Sequence, residues 1–268
     1  MNQILRELKH KLSSGASIIG PFMKTSDPAL VEAAGYSGFD FVILDTEHGP
    51  CTIETMQNLV RAALVGGVLP VIRVQDSSES SIGKALDIGA LGIQVPQVQS
   101  AAQAHEIIGR AKFYPQGERG VCRFVRAAQY SAMNRFDYFK DANEALIILQ
   151  LEGEEAVRNL DAILEVVGID ILFIGPYDLS QSLGVPGEIT NPLVIEKMQY
   201  IVSKAKAKGM VVGTFLDKPE MIQQWKETGI QYLSYSVDVG IFLEACRAIV
   251  EHGAANRRTI GSDKHAAM

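Results

Sequence analysis

Cysteine is scarce: three residues, Cys51, Cys122 and Cys246, are spread over 268 positions. An odd number without C-x-x-C spacing argues against a disulfide framework and a structural zinc site, and fits a reduced protein. Basic residues do not prevail either. Lys and Arg number 25 against 31 Asp and Glu, a formal net charge of -6. That removes the basic face nucleic-acid binding needs, while small anionic substrates require only local positive charge. No apolar run reaches the ~18–20 residues of a membrane span. Residues 1–14 are polar and charged, without the apolar core of a secretory leader. The expectation is a cytoplasmic protein with no nucleic-acid or membrane partner.

What is present is alternation. Short runs rich in Val, Ile and Leu, bounded by Gly, Pro or Asp, lie near residues 16–22, 39–45, 69–74, 91–96, 145–152, 170–175, 210–216 and 230–236. Such runs read as strands buried on both faces. Amphipathic stretches between them predict helices over 28–36, 52–65, 78–88, 100–110, 154–166, 192–208, 219–227 and 239–251. Start signals such as Thr25-Ser-Asp-Pro28, Asp76-Ser-Ser-Glu79 and Asp217-Lys-Pro-Glu220 support several of them. Eight strands alternating with eight helices predict a single-domain α/β protein, a (β/α)8 TIM barrel. An open doubly wound sheet would give the same periodicity. The barrel is expected over 1–252, with 253–268 as a mobile tail. Residues 113–143 form a connection long enough to suggest function, and carry Arg119, Arg123 and Arg126.

In such a barrel, chemistry gathers where strands end. Strand two ends in Asp45-Thr-Glu-His48, strand three in Arg73 and strand five in Gln150-Leu-Glu152, while strand six runs into Gly175-Pro-Tyr-Asp178. Polar groups beside a Val/Ile core are costly unless they meet water, metal or ligand. Glu152 and Asp178 follow neighbouring strands and offer two hard oxygen donors, which suits Mg²⁺, Mn²⁺ or Co²⁺. Each acid alone could equally cap a helix. His48 is the one histidine at a strand end and, with Asp45 nearby, a candidate general base; a plain loop histidine is the alternative. Arg73 is either a cation for a developing oxyanion or an ion-pair partner of Asp45 or Asp76. Cys51 reads as a packed cysteine. The strand runs contain no lysine; Lys24 and Lys218 only follow strands one and seven. This favours a metal over an imine. The loops after strands seven and eight are not glycine-rich, which argues against a phosphate-bearing substrate.

Several segments together carry a family resemblance. They are Gly38-Phe-Asp-Phe-Val-Ile-Leu-Asp-Thr-Glu-His48, Pro70-Val-Ile-Arg73, Leu86-Asp-Ile-Gly-Ala90, Tyr114-Pro-Gln-Gly-Glu-Arg-Gly-Val121, Asn159-Leu-Asp161 and Phe173-Ile-Gly-Pro-Tyr-Asp-Leu-Ser180. In this order the chain resembles the HpcH/HpaI family of metal-dependent pyruvate aldolases. The resemblance implies His48 as catalytic base and Asp87 as the acid that strengthens it. It implies Arg73 as transition-state stabiliser and Glu152 and Asp178 as metal ligands. Gln150 and the Gly175, Pro176, Tyr177, Asp178 segment become substrate contacts. Many relatives have alanine where this chain has Tyr177. The implied reaction is cleavage of a 4-hydroxy-2-oxo acid to pyruvate and an aldehyde, or the reverse addition, in a homo-hexamer built as a trimer of dimers with exchanged C-terminal helices. A malyl- or citramalyl-CoA-type lyase would share the enolate chemistry but needs a nucleotide groove, and no basic run supplies one. A non-catalytic barrel would have no use for these polar strand ends.

Overall fold

The computed structural model describes residues 2–262. Its eight strands are β1 (Ile18–Met23), β2 (Phe41–Asp45), β3 (Leu69–Arg73), β4 (Gly92–Val95), β5 (Leu146–Leu151), β6 (Ile171–Ile174), β7 (Val211–Leu216) and β8 (Tyr232–Val237). They pair in parallel in sequence order, and β8 closes on β1. This is the closed barrel, and the open sheet is ruled out. The parallel register sets Asp45 opposite Arg73, and Arg73 opposite Gln94. Three polar side chains therefore sit at one level across β2, β3 and β4.

The strand runs are apolar on both faces because they serve two cores. Ile18, Phe22, Phe41, Ile43, Val71, Ile148, Phe173 and Tyr232 fill the interior, where Phe41 stacks on Tyr232 with centroids 3.9 Å apart. Val42, Leu44, Ile72, Ile93, Leu149 and Leu172 point outward to the helices. Gly20 permits the tight interior: a Cβ there would lie 1.9 Å from the Phe41 carbonyl oxygen.

The first helix, α1 (Gln3–Ser13), was not expected. Its Leu5, Leu8 and Leu12 share one face and join the interior cluster, so α1 closes the end where the strands begin. Helices α2 (Pro28–Tyr36), α3 (Ile53–Val65), α4 (Glu79–Asp87) and α5 (Ala101–Ala111) follow β1 to β4. The long connection holds a 3₁₀ segment, Arg126–Ser131, and α6 (Arg135–Ala142). The expected helix over 154–166 is broken into α7 (Glu154–Arg158) and α8 (Leu160–Leu164) at Asn159, whose side-chain amide donates to the Gln99 carbonyl at 2.8 Å. Then come α9 (Pro176–Ser182), α10 (Pro192–Ala207), α11 (Glu220–Thr228) and α12 (Asp238–Ser262). The last helix runs past the boundary expected at 253; the rest of the tail, 263–268 with His265, lies outside the described residues. Among the described residues, no helix is long and apolar enough to cross a membrane.

Candidate active site

Asp45 ends β2 fully buried, and burial alone would raise its carboxyl. Arg73 reverses this by donating Nε and Nη2 to the two carboxylate oxygens at 2.8 and 2.7 Å. The paired contact and the guanidinium charge hold Asp45 below the usual carboxylate range. Asp45 Oδ1 also accepts the backbone N–H groups of Glu47 (3.1 Å) and His48 (3.3 Å), which turns the chain sharply after the strand. The guanidinium of Arg73 lies over the Phe22 ring at 4.5 Å, and its Nη1 meets Glu47 Oε2 at 3.1 Å. The ion pair with Asp45 is thus real, and it fixes Arg73 at the strand ends rather than removing it from them.

His48 projects from this turn with 59% of its side chain exposed, and its Nε2 lies 4.0 Å from Glu47 Oε2. The segment meant to hold the base does place it at the barrel mouth. Asp87 is elsewhere. It ends α4, which runs antiparallel to the strands, so it lies at the end where β4 begins. There it accepts from Arg119 Nη2 at 2.6 Å. Within one chain the fold therefore does not bring Asp87 to His48, and the acid nearest the imidazole is Glu47. Burial raises the Glu47 carboxyl, while Arg73 and His48 oppose the rise.

Glu152 is held from two sides. Gln94 Nε2 donates to Gln150 Oε1, and Gln150 Nε2 donates to Glu152 Oε2, each at 2.5 Å. The other carboxylate oxygen accepts the backbone N–H of Gln97 at 2.7 Å. Gln97 adopts a left-handed backbone, φ 56°, to aim that N–H. Burial, with the charges of Asp178 and Glu47, pushes the Glu152 carboxyl up to about 7. Asp178 stands in the first turn of α9, exposed and close enough to act on both Glu152 and Glu47. Gly175 makes this proximity possible: a Cβ there would fall 2.8 Å from Glu152 Oε2. Two mutually repelling carboxylates, of which Glu152 is held by neutral amide donors, form a donor set that fits a hard divalent cation. Among the described residues no group of three or more His, Cys, Asp and Glu is arranged for a metal, so a cation here would take two protein carboxylates and fill its remaining positions with water or substrate.

Phe22, which lies under the Arg73 guanidinium, meets Phe215 with ring centroids 5.9 Å apart, and Phe215 meets Tyr177, next to Asp178 in sequence, at 6.0 Å. The Tyr177 hydroxyl donates to Asp217 Oδ2 at 2.6 Å. Cys51 is partly buried against the outer core, and burial raises its thiol, as expected of a packed cysteine. Sequence reasoning did not single out Gln94 or Gln97. Gln94 carried the same signal as Gln150, one amide inside a buried apolar strand; Gln97 works through its backbone and had none. Two cavities lie elsewhere, one of about 540 Å³ at the strand-start end beside Leu5 and Arg119 and one of about 590 Å³ against α2 and α3. Neither contains the strand-end carboxylates.

The model of the HpcH/HpaI aldolase/citrate lyase family matches residues 19–245. The chain belongs to this family. A 2-keto-3-deoxy-L-rhamnonate aldolase of Salmonella gallinarum (strain 287/91 / NCTC 13346) is 36% identical over 248 residues, covering 91% of this chain and 92% of the relative. A solved HpcH/HpaI aldolase from Desulfitobacterium hafniense DCB-2 superposes with a TM-score of 0.85 at 33% identity, over 91% of this chain and 95% of that one. The citrate synthase SbnG superposes at 0.84 and 32% identity, over 94% and 98%. This HpcH/HpaI member is a carbon–carbon lyase of the aldolase type.

Proposed function

We propose that this chain cleaves a 4-hydroxy-2-oxo acid to pyruvate and an aldehyde, and catalyses the reverse addition, with a divalent cation held by Glu152 and Asp178. The observation that carries the reading is the placement of that carboxylate pair at adjacent strand ends, facing the same mouth as Arg73 and His48. The donor set suits Mg²⁺, Mn²⁺ or Co²⁺. When bound, the cation supplies Lewis-acid stabilisation of negative charge on the 2-oxo acid.

The chain's own residues do the rest. Gln150, itself fixed by Gln94, orients Glu152 and borders the substrate with the Gly175, Pro176, Tyr177 segment. The His48 imidazole takes the proton from the 4-hydroxyl. The C3–C4 bond breaks, its electron pair passes to C3, and C4 leaves as the aldehyde carbonyl. The remaining enolate carries its charge on oxygen. Arg73, locked by Asp45 and Glu47 and backed by Phe22, presents its spare N–H donors to that oxygen without having to reorganise. Protonation at C3 gives pyruvate. Asp45 acts by positioning Arg73 and the His48 backbone.

The protein is proposed to work in the cytoplasm as a homo-hexamer. Support for self-association comes from α12, which leaves Val239, Phe242, Leu243, Ile249 and Val250 between 49% and 72% exposed, a longer apolar stripe than a monomer usually shows to water. Light scattering that reports a monomer would remove this part of the reading. The central test is a panel of 4-hydroxy-2-oxo acids assayed for pyruvate release with and without EDTA. Release that EDTA abolishes is expected. No release from any member, or full release in excess EDTA, would overturn the proposal.

A further inference from the structure

Gln94 is an amide in an otherwise apolar strand. β4 reads Gly92-Ile-Gln-Val95, and Gln94 is fully buried there. Its Nε2 donates to Gln150 Oε1 on the neighbouring strand, and Gln150 Nε2 donates on to Glu152 Oε2, each at 2.5 Å. This chain of donors can run only one way. An ionised carboxylate only accepts, so the Glu152 oxygen claims the amino group of Gln150. That turns Gln150 Oε1 toward β4, where only a donor can meet it, and the Gln94 amino group is that donor. Gln94 Oε1 is what remains. It is buried from water and has no hydrogen-bond partner among the described residues. An unpaired buried amide oxygen is destabilising, and an apolar side chain of similar length would leave no such acceptor. The amide is therefore present for what it donates rather than for how it packs.

The Glu152 end of the relay shows the use. A carboxylate turns easily about its last torsion. Here one oxygen is held by the Gln97 backbone N–H at 2.7 Å and the other by Gln150. One donor on each oxygen fixes the plane of the carboxylate and leaves both oxygens lone pairs for a cation. The Gln97 arm is backbone and needs no further support. The Gln150 arm is a flexible side chain, which keeps its place and its amide orientation only while its other end is tied. Outer-shell groups that orient a metal ligand in this way tune metal affinity.

We propose that Gln94 is a positioning residue for the cation site: by donating to Gln150 it keeps Gln150 a donor to Glu152, and so sets the affinity of Glu152 and Asp178 for a divalent cation. The inference rests on the cation reading of the proposed function. It is tested by calorimetric titration of Mn²⁺ into the wild type, Gln94→Met, Gln150→Met and the double variant, with Gln94→Leu as a second apolar replacement and urea unfolding of each. Gln94→Met should bind Mn²⁺ about tenfold more weakly, the lower end of the loss for an outer-shell partner, and Gln94→Leu should match it. Gln150→Met should lose at least as much. In the Gln150→Met background the Gln94 change should add close to nothing, because the relay it feeds is already gone. The urea midpoint of Gln94→Met should stay near that of the wild type, since removal of the unpaired Gln94 oxygen offsets the lost donor. Wild-type affinity in both Gln94 variants overturns the proposal. So does a loss that recurs undiminished in the Gln150→Met background, which would make Gln94 a packing residue that does not act through Gln150. Glu152→Ala separates the two readings. If it loses Mn²⁺ while Gln94→Met keeps wild-type affinity, only the role of Gln94 falls. If Glu152→Ala binds as the wild type does, the cation site lies elsewhere and this inference falls with it.

Discussion

Arg73 is bound to two carboxylates and an aromatic face, so replacing it should do two separable things. Arg73→Ala deletes an oxyanion contact, worth on the order of a hundred- to a thousand-fold in kcat. It also leaves the fully buried Asp45 without its partner, which costs about 3–5 kcal/mol of stability. Arg73→Lys should restore more of the stability than of the rate, because an ammonium neutralises Asp45 but cannot reproduce the planar fork. Urea unfolding and steady-state kinetics on both variants check this; rate and stability recovering in step would mean that Arg73 is a structural ion-pair partner only. Glu152 makes a second prediction at this scale. With its carboxyl raised to about 7 by burial and by Asp178 and Glu47, the metal-free site holds a proton below that pH and has lost it above. Metal binding must displace that proton, so affinity should rise with pH through about 7 and then level off. Calorimetry of Mn²⁺ binding in buffers of different ionisation enthalpy should show proton release near pH ~6 and little near pH ~8. Equal release at both would show that Glu152 does not titrate there.

At the scale of elements, α1 seals the interior with Leu5, Leu8 and Leu12. Leu8→Ala should cost about 2–5 kcal/mol, since the interior is closed around it and cannot collapse easily. Glu7→Ala on the exposed face of the same helix should cost under about 0.5 kcal/mol. Thermal unfolding of the pair tests this, and equal melting temperatures would contradict the plug. The helix was legible in principle: Leu5, Leu8 and Leu12 keep helical spacing among charged neighbours. An element before the first strand simply has no place in a strand–helix alternation. The break at Asn159 was not legible, because no proline or glycine marks it and the side chain's partner there, the Gln99 carbonyl, is distant in sequence. The strand ends were easier to read. Asp45, Arg73, Gln150 and Glu152 each stand out against apolar runs, and the barrel rule says where such residues point. Asp87 shows the limit of that method. The family resemblance linked it to His48, but no strand end marks it: within one chain it closes α4, at the opposite end of the barrel from His48.

For the molecule as a whole, the closed barrel brings the ends of eight strands to one mouth, so residues more than a hundred positions apart meet there. Asp45, Arg73, Gln94, Glu152 and Asp178 come from five consecutive strands or the segments just after them. On the proposed function, this mouth generates a pyruvate enolate by using a cation on Glu152 and Asp178. The most direct measurement follows the methyl protons of pyruvate by NMR in D₂O, with no aldehyde present, so that neither aldehyde specificity nor product release enters. The wild type should exchange these protons when supplied with Mg²⁺ or Mn²⁺. Exchange should stop in excess EDTA and return with added metal, and Glu152→Ala and Asp178→Ala should be silent while still folded. Exchange that continues undiminished in EDTA, or in both carboxylate variants, would contradict the proposed function.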